Sequence, residues 1–176
     1  PFAEILRDLG VWRDGLFPWG SDPLGELIDR LARAPIALLI HGNDLSASEI
    51  DRLGSYPQLS VVHCPRTHHY FGHRMHPLTQ LLSGGVRVAL GTDSRASNPD
   101  LNLWSEVQFL LRHRPDVSPN DVLKMATMNG ADALRRGDLG RIQVGCLAKL
   151  GLIDTGANSL DDLYEDIGRQ PYRGLA

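Results

Sequence analysis

The sequence predicts a parallel α/β fold, and three observations support that prediction. Three short, continuous apolar runs lie at residues 36–40, 59–62 and 86–90, and such runs fit strands that are buried on both faces, as in parallel sheets. Amphipathic helical patterns precede, separate and follow the runs. Each run ends close to a polar residue suited to catalysis, and the functional sites of parallel α/β folds lie beyond the carboxyl ends of their strands.

The first predicted elements are a helix, a strand and a second helix. Leucine and isoleucine recur at helical spacing over residues 24–31, which predicts a helix before the first strand. The run at residues 36–40 predicts a buried strand that leads into His41. Ser46, with Glu49 three residues later, has the pattern of a capping box and predicts the start of the next helix.

The second and third strands follow the same pattern. Residues 59–62 predict a strand that leads into His63, and residues 86–90 predict one that leads into the Gly-Thr-Asp sequence ending at Asp93. A short helix between these two strands is expected to stop at Gly84, because glycine is common just beyond helix ends.

Two or three helices and one more strand are expected after the third strand. Apolar residues at helical spacing predict a helix over residues 103–111. Another helix, capped by Ser118, is expected to reach about Gly130 and to be followed by a short helix over residues 131–135. Residues 150–153 predict a last strand.

Composition and charge exclude several functional classes. The chain has 176 residues, of which 42% are hydrophobic and 22% charged, as in soluble globular domains. A net charge of -3 does not predict a nucleic acid or an anionic membrane as partner, and no apolar stretch approaches the roughly 18 residues of a membrane span. Cys64 and Cys146 form no paired motif, so we interpret them as reduced thiols of a cytoplasmic protein.

Asp93 is the sharpest candidate for catalysis. It directly follows an apolar strand, where a carboxylate can ligate a divalent cation such as Zn²⁺ or accept a proton from an attacking water. In the alternative interpretation, Asp93 caps the next turn while Ser94 and Asn98 bond local backbone. His41 is open to three interpretations: a metal ligand, a group that polarises a substrate oxygen, or a core histidine bonded to backbone.

The segment over residues 63–73 is dense in histidine and aromatic residues and is predicted to be a substrate loop over the site. A surface loop is the alternative. Arg66 and His68 are its candidates for substrate contact, since loops after strands carry specificity, whereas His63 could equally only support the loop. The histidines expected to be solvated are His69, His73 and His76. No Cys/His spacing here matches a closed zinc site.

Several sequence blocks together resemble the amidohydrolase superfamily. These blocks are His41-Gly42-Asn43, residues 61–66 (VVHCPR), residues 85–94 (GVRVALGTDS) and Ser97-Asn98. The similarity is strongest to the branch that holds the chlorohydrolases, the guanine and cytosine deaminases, and the S-adenosylhomocysteine and aminofutalosine deaminases. Residues 125–131 resemble that branch's helix after the last barrel strand, and residues 140–145 resemble its return to a small β-sandwich.

The resemblance implies a distorted (β/α)8 TIM barrel with an attached β-sandwich. The three strands would be the sixth, seventh and eighth, in a partial barrel over residues 1–138, with a remnant of the sandwich and a tail over residues 139–176. The family's metal site also needs a His-x-His pair and a further histidine from earlier strands, yet no histidine precedes His41. Three strands cannot close a barrel and leave unpaired edges.

The missing strands predict that the chain is a fragment of a longer enzyme. Its partner would be the N-terminal half of the barrel; formation of a homo-oligomer stays open. Alone, the chain is expected to bind metal weakly and to turn over nothing. Cys146 and Lys149 replace the lysine and aspartate of the family's Gly-Lys-x-Ala-Asp block, which weakens the expectation of family-like sandwich contacts.

The activity implied by the resemblance is hydrolysis of a C–N bond in a small molecule, an aminated heterocycle or nucleoside-like compound. Asp93 would bind the metal, zinc or alternatively iron, and would shuttle the proton, while His41 would polarise the attacked centre or orient the water. The residues expected to contact substrate are His63, Arg66, His68, Ser94 and Asn98.

Three alternatives to this activity stay open. A chlorohydrolase or other amidohydrolase would use the same geometry. A non-catalytic half-barrel or interaction domain would need no complete set of metal ligands. A doubly wound, metal-free binding domain predicts helices on both faces of an open sheet, whereas a barrel fragment predicts helices on the outer face only.

Overall fold

A parallel sheet forms the centre of the computed structural model, which describes residues 2–16 and 22–174. Its strands are β1 (Ala37–Ile40), β2 (Leu59–His63) and β3 (Arg87–Leu90), in the order β1-β2-β3. Leu39 pairs with Val61, which in turn pairs with Val88. The three predicted strands are therefore confirmed as parallel neighbours, each within one residue of the expected ends.

Helices connect and flank these strands. Among the described residues they are α1 (Phe2–Asp8), α2 (Pro23–Leu31), α3 (Ala47–Gly54), α4 (Pro65–Tyr70), α5 (Leu78–Ser83), α6 (Leu103–His113), α7 (Pro119–Ala126), α8 (Met128–Ala133) and α9 (Leu160–Ile167). The helices expected before, between and after the strands are confirmed as α2, α3, α5 and α6. Helices α1, α4 and α9 were not predicted from the sequence.

Local capping explains where several helices begin. The Ser46 hydroxyl accepts a hydrogen bond from the Glu49 backbone N–H, and the Glu49 carboxylate accepts one from the Ser46 backbone N–H. This is the predicted capping box. Helix α7 begins at Pro119 behind the Ser118 cap, also as predicted, because proline at the first helical position loses no hydrogen bond.

Two predicted elements differ in the structure. Part of the segment expected to be a loop forms α4, which begins at Pro65, where the fixed φ of proline favours a helix start. The helix expected to continue to Gly130 ends at Ala126, and α8 begins two residues later at Met128. This break at Thr127 lets the chain turn back towards the sheet.

The break places Asn129 beside the edge of the sheet that β3 forms. The Asn129 side-chain N–H donates to the Val88 carbonyl at 2.9 Å. The Gly91 backbone N–H donates to the His63 carbonyl of β2. Alternate residues of a parallel strand direct their backbone groups to opposite sides, so the backbone groups of Val88 face away from β2. Helix α8 therefore caps one carbonyl on the edge of β3 that has no strand partner among the described residues.

The hydrophobic core lies between the helices and one face of the sheet. Strand residues of that face belong to the same apolar cluster as the helix residues Ile28, Leu53 and Leu110. On the opposite face Ser60 and Ala89 are buried. Ile40, at the end of β1 on that face, is 49% exposed. The sheet therefore has its main helical cover on one side.

The C-terminal segment adds a small antiparallel pair, β4 (Gly151–Leu152) with β5 (Arg173–Gly174). Strand β4 confirms the strand expected over residues 150–153. Its assignment to a β-sandwich, and the boundary between residues 138 and 139, stay predictions. Ile167 of α9 is buried against the core. No helix of the described residues combines the length and apolarity needed to cross a bilayer.

Candidate active site

The two candidate catalytic side chains meet beyond the carboxyl edge of the sheet. His41 directly follows β1, and Asp93 lies three residues beyond the end of β3. Nε2 of His41 is 3.8 Å from Oδ2 of Asp93, and the side chains are 39% and 28% exposed. The structure thus brings together the two residues that the sequence singled out, and both remain open to solvent or to a ligand.

Both residues also have unusual backbone conformations. The φ angle is +70° at His41 and +58° at Asp93, and Arg135 is the one other non-glycine residue with positive φ in the described part of the chain. A left-handed conformation costs an L-residue roughly 1–2 kcal/mol. Such strain persists only where the surroundings enforce it, and it concentrates at functional sites.

Hydrogen bonds from two sides enforce the turn at Asp93. The Thr92 carbonyl accepts from the Asn98 side-chain N–H at 2.7 Å and from the Thr67 hydroxyl at 3.4 Å. The Ser97 hydroxyl donates to Oδ2 of Asp93 at 3.3 Å. The Asp93 carboxylate is therefore held towards His41 and does not cap a helix. Ser94 and Asn98 do bond local backbone, as the alternative interpretation predicted.

Gly91 allows β3 to end close against β2. A Cβ atom at this position would lie 2.8 Å from Cγ1 of Val62 and 3.1 Å from Sγ of Cys64, which leaves no room for a side chain. Cys64 is buried, and burial is the main cause that raises the pKa of its thiol to about 11. A neutral thiol is a poor nucleophile, so Cys64 packs at the site without attacking. Both cysteines are free, as predicted.

A buried carboxylate that was not predicted from the sequence lies behind this turn. Glu106 of α6 is fully buried; it accepts from the Arg66 backbone N–H at 2.9 Å and from the Asn98 side chain at 2.7 Å. Burial raises the pKa of Glu106, while these donors act to lower it. The sequence held one signal: position 106 lies on the apolar stripe of its helix, where an unpaired carboxylate is costly.

The residues predicted to contact substrate differ in their exposure and in their hydrogen-bond partners. Ser94 is exposed, although its hydroxyl accepts from the Ala96 backbone N–H at 3.3 Å. Arg66 forms two bonds to the Asp100 carboxylate, at 2.8 and 3.2 Å, and Asn98 is buried. Arg66 and Asn98 are thus bound to protein groups, and their contact with a substrate stays a prediction, as does that of Ser94.

A stack of histidines supports the other side of the site. The rings of His63 and His76 are parallel to within 27° at 3.8 Å, and His76 donates from Nε2 to the His41 carbonyl at 2.7 Å. The expectation that His76 is solvated was wrong, because this bond and the stack bury it to 2% exposure. His69 and His73 are exposed, as expected.

Burial keeps the stacked histidines neutral. Desolvation is the main cause that lowers the pKa of His63 to about 2 and that of His76 to about 4. Nδ1 of each ring has no hydrogen-bond partner in the described part of the protein. His63 is 2% exposed, which favours the supporting role that the sequence left open for it. Beside the stack, His68 donates from Nε2 to the Arg74 carbonyl at 2.7 Å.

The space at the site is small. A cavity of about 90 Å³ lies at His41 and Asp93, whereas pockets for small molecules measure about 300–1,000 Å³. Its lining residues are His41, Asn43, Thr67, His68, Phe71, His73 and Asp93. A neighbouring hollow of about 340 Å³ shares His68 and His73 with this cavity. A larger hollow of about 460 Å³ between α6 and α9 shares none of these lining residues.

The same residues do not complete a metal site. A catalytic zinc site has three protein ligands, and no group of three His, Cys, Asp or Glu side chains among residues 2–16 and 22–174 is placed to hold a metal ion. Asp93 and His41 supply two donor groups at most. Any further ligands would have to come from outside the described residues.

Comparison with known proteins decides the family. The amidohydrolase family matches residues 22–172, which include the strands, the turn at Asp93 and both candidate catalytic residues. The chain belongs to the amidohydrolase family. The resemblance inferred from the sequence blocks is thereby confirmed, and the doubly wound alternative does not fit this family.

Two curated relatives of this amidohydrolase carry names of C–N hydrolases. A 5-methylthioadenosine/S-adenosylhomocysteine deaminase of Nitratidesulfovibrio vulgaris is 34% identical over 145 residues, which are 78% of this chain and 33% of the relative. A hydroxydechloroatrazine ethylaminohydrolase of Pseudomonas sp. strain ADP is 36% identical over 171 residues, covering 86% of this chain and 35% of the relative. The chain spans about a third of the length of these relatives.

A solved structure shows the same architecture with a metal. An adenosine deaminase from Xanthomonas campestris with bound Zn superposes with a TM-score of 0.72 and is 30% identical, covering 89% of this chain and 38% of that chain. The fold of this amidohydrolase is therefore of the barrel type. Numbering its strands six to eight stays a prediction.

Proposed function

We propose that this amidohydrolase chain is the C-terminal part of a metal-dependent enzyme that hydrolyses a C–N bond of an aminated heterocycle or nucleoside-like compound. One observation carries the proposal. His41 and Asp93 face each other at 3.8 Å, beyond the strand ends and both in left-handed conformations. Strain of this kind is retained where a fixed side-chain direction is needed.

The roles of the two side chains follow from their chemistry. Water adds to the carbon that bears the amino group, and the Asp93 carboxylate accepts the proton that the water loses. His41, next to the same cavity, stabilises the charge that develops on the attacked group. The C–N bond then breaks, and Asp93 returns the proton to the departing ammonia or amine.

This chain supplies one of the proposed metal ligands. Zinc is the metal we propose, by analogy with the Xanthomonas structure, with iron as the alternative. Asp93 is the one residue of this chain that we assign to it. The remaining ligands would come from the N-terminal half of the barrel, which we propose as the partner of this chain. The cytoplasm is the proposed location.

A non-catalytic half-barrel, serving as an interaction domain, is the second candidate. It is favoured by the absence, among the described residues, of any three side chains arranged as metal ligands. On this alternative, Asp93 and His41 would keep their geometry without chemistry.

The two candidates are separated by adding the upstream coding sequence. We expect the extended protein to bind about one zinc per chain and to release ammonia from aminated purine nucleosides or triazines, measured by metal analysis and an ammonia assay. Asp93→Asn and His41→Asn should each lower the rate about 1,000-fold. Asp51→Asn, an exposed carboxylate on α3, is the matched control and should leave the rate unchanged.

Other outcomes would count against the proposal. Neither zinc nor ammonia in the extended form would favour the non-catalytic half-barrel. Chloride release from chlorinated triazines without any ammonia would instead assign the chain to a chlorohydrolase.

A further inference from the structure

Glu106 lies one layer behind the candidate active site and touches neither His41 nor the cavity. Its carboxylate is fully buried, and both oxygens accept from N–H donors, Oε2 from the Arg66 backbone and Oε1 from the Asn98 side chain. The Arg66 guanidinium Nε lies 3.7 Å from Oε1. Packing alone does not require a carboxylate, since apolar residues of similar volume often replace buried charges without loss of stability. The contacts of Glu106 therefore point to a task beyond filling the core.

We propose that Glu106 is a positioning residue for Asp93, acting through Asn98 and the Thr92 carbonyl. The structural part of this inference stands on hydrogen bonds alone. Its catalytic part rests on the proposed function, because only there does the direction of the Asp93 carboxylate affect a reaction.

Asn98 is the link between the buried carboxylate and the turn. Its side-chain nitrogen donates one bond to Glu106 and the other to the Thr92 carbonyl, both at 2.7 Å. A carboxylate only accepts hydrogen bonds, so Glu106 forces the nitrogen of the amide towards itself and towards Thr92. The charge of Glu106 also polarises the amide and strengthens its second bond.

The Thr92 carbonyl is the point at which this network acts on Asp93. That carbonyl and the Asp93 backbone N–H belong to one planar peptide group. The φ angle of Asp93, +58°, is the rotation about the bond that leaves this plane. With the plane anchored by Asn98, Asp93 keeps its left-handed conformation; without the anchor, relaxation to negative φ would swing the carboxylate away from His41.

The second oxygen of Glu106 holds the start of α4, which contacts the same turn. It holds the Arg66 backbone N–H at the start of α4. The hydroxyl of the next residue, Thr67, lies 3.4 Å from the Thr92 carbonyl oxygen and 3.1 Å from the Ser97 hydroxyl. One carboxylate thus bonds both to the turn that holds Asp93, through Asn98, and to the start of α4, through Arg66.

Amide hydrogen exchange on this chain tests the structural part. In Glu106→Gln the shape is kept, but one oxygen becomes an NH₂ group that faces an N–H donor. We expect the Asp93 and Ser97 amides to exchange about tenfold faster or more, and Asn98→Leu should have the same effect. Gln108→Leu is the matched control: it lies on the same helix and loses bonds to the Ile167 and Gln170 carbonyls, and it should leave the turn unchanged.

The double variant separates positioning from general stability. If Glu106 acts on Asp93 largely through Asn98, the acceleration at the Asp93 amide in the Glu106→Gln/Asn98→Leu double variant is well below the product of the two single accelerations, because coupled residues are not additive. Additive effects, or equal acceleration of the β1 and β2 amides in Glu106→Gln, would overturn the proposal.

Kinetics of the extended protein test the catalytic part. Glu106→Gln should lower kcat about 100-fold, as small displacements of reacting groups do, while KM changes by less than about threefold. Wild-type kcat in this variant, in an otherwise active enzyme, would overturn the positioning role and leave the proposed function intact. An inactive wild type would instead contradict the proposed function, and the exchange result would still decide the structural part.

Discussion

At the scale of single residues, the left-handed backbone of Asp93 is expected to lower the stability of the fold while it directs the carboxylate towards His41. Glycine adopts this conformation without strain and alanine does not. We therefore expect Asp93→Gly to be more stable than Asp93→Ala by about 1 kcal/mol in urea unfolding. At Asp51, inside α3, the order should reverse by a similar amount, because glycine weakens helices. Equal stability of the two Asp93 variants would show that the backbone there is not strained.

The stacked histidines predict a loss of stability in mild acid. Burial lowers the pKa of His63 to about 2 and that of His76 to about 4, from 6.5. Between about pH 4 and pH 6.5 these two rings bind protons in the unfolded chain and not in the folded one, so their contribution to stability is full above pH 6.5 and is lost as the pH falls. His68, whose pKa burial also lowers, acts in the same direction. The slope should approach about 2.7 kcal/mol per pH unit near pH 5.

Substitution of one ring tests this linkage. His63→Phe keeps a flat ring and should lower the slope by about 1.4 kcal/mol per pH unit, measured by urea unfolding at several pH values. His69→Phe, which removes an exposed histidine, should leave the slope as in the wild type. The same slope in all three proteins would contradict the assigned burial effect.

Residues that act alone at strand ends could be predicted from the sequence, and residues that act in pairs could not. His41 and Asp93 stand out because each follows an apolar strand. Glu106 and His76 depend on partners 8 to 35 positions away, Asn98 and His41, and no local pattern encodes those distances. The one sequence signal for Glu106 is that a charged residue lies on the apolar stripe of its helix.

At the scale of elements, local capping chemistry decides where α3 begins. Ser46→Ala removes the hydroxyl that accepts from Glu49 and should cost about 1 kcal/mol in urea unfolding. Asp51→Ala, one turn into the same helix and exposed, should not lower stability by more than about 0.5 kcal/mol. A loss of equal size in both variants would mean that the cap is not the cause.

Elements with a strong apolar period or a clear cap were predicted, and short ones were not. The strands and α5 have the apolar pattern, and α2, α3 and α6 add a capping side chain. Helix α4 has only six residues, two of them histidines, and no apolar stripe. Its sequence therefore predicts a loop. The break between α7 and α8 was also hidden, because it serves a tertiary bond from Asn129 to β3.

At the scale of the whole molecule, the sheet order and the family agree. Parallel strands in the order β1-β2-β3 place His41 and Asp93 at one edge, and the amidohydrolase match covers both. This arrangement follows from apolar runs and strand ends, so the sequence could predict it. Any closure of a barrel and any full set of metal ligands would need groups beyond the described residues.

We propose that Asp93 and His41 share one cation-and-water pocket. Anomalous X-ray diffraction at the zinc edge, on crystals of the extended protein grown with zinc, locates the cation in this pocket. We expect one strong peak at about 2.0–2.2 Å from an Asp93 carboxylate oxygen, with the His41 ring beside it. A zinc peak bound entirely by other side chains, with Asp93 outside its coordination sphere, would contradict the claim.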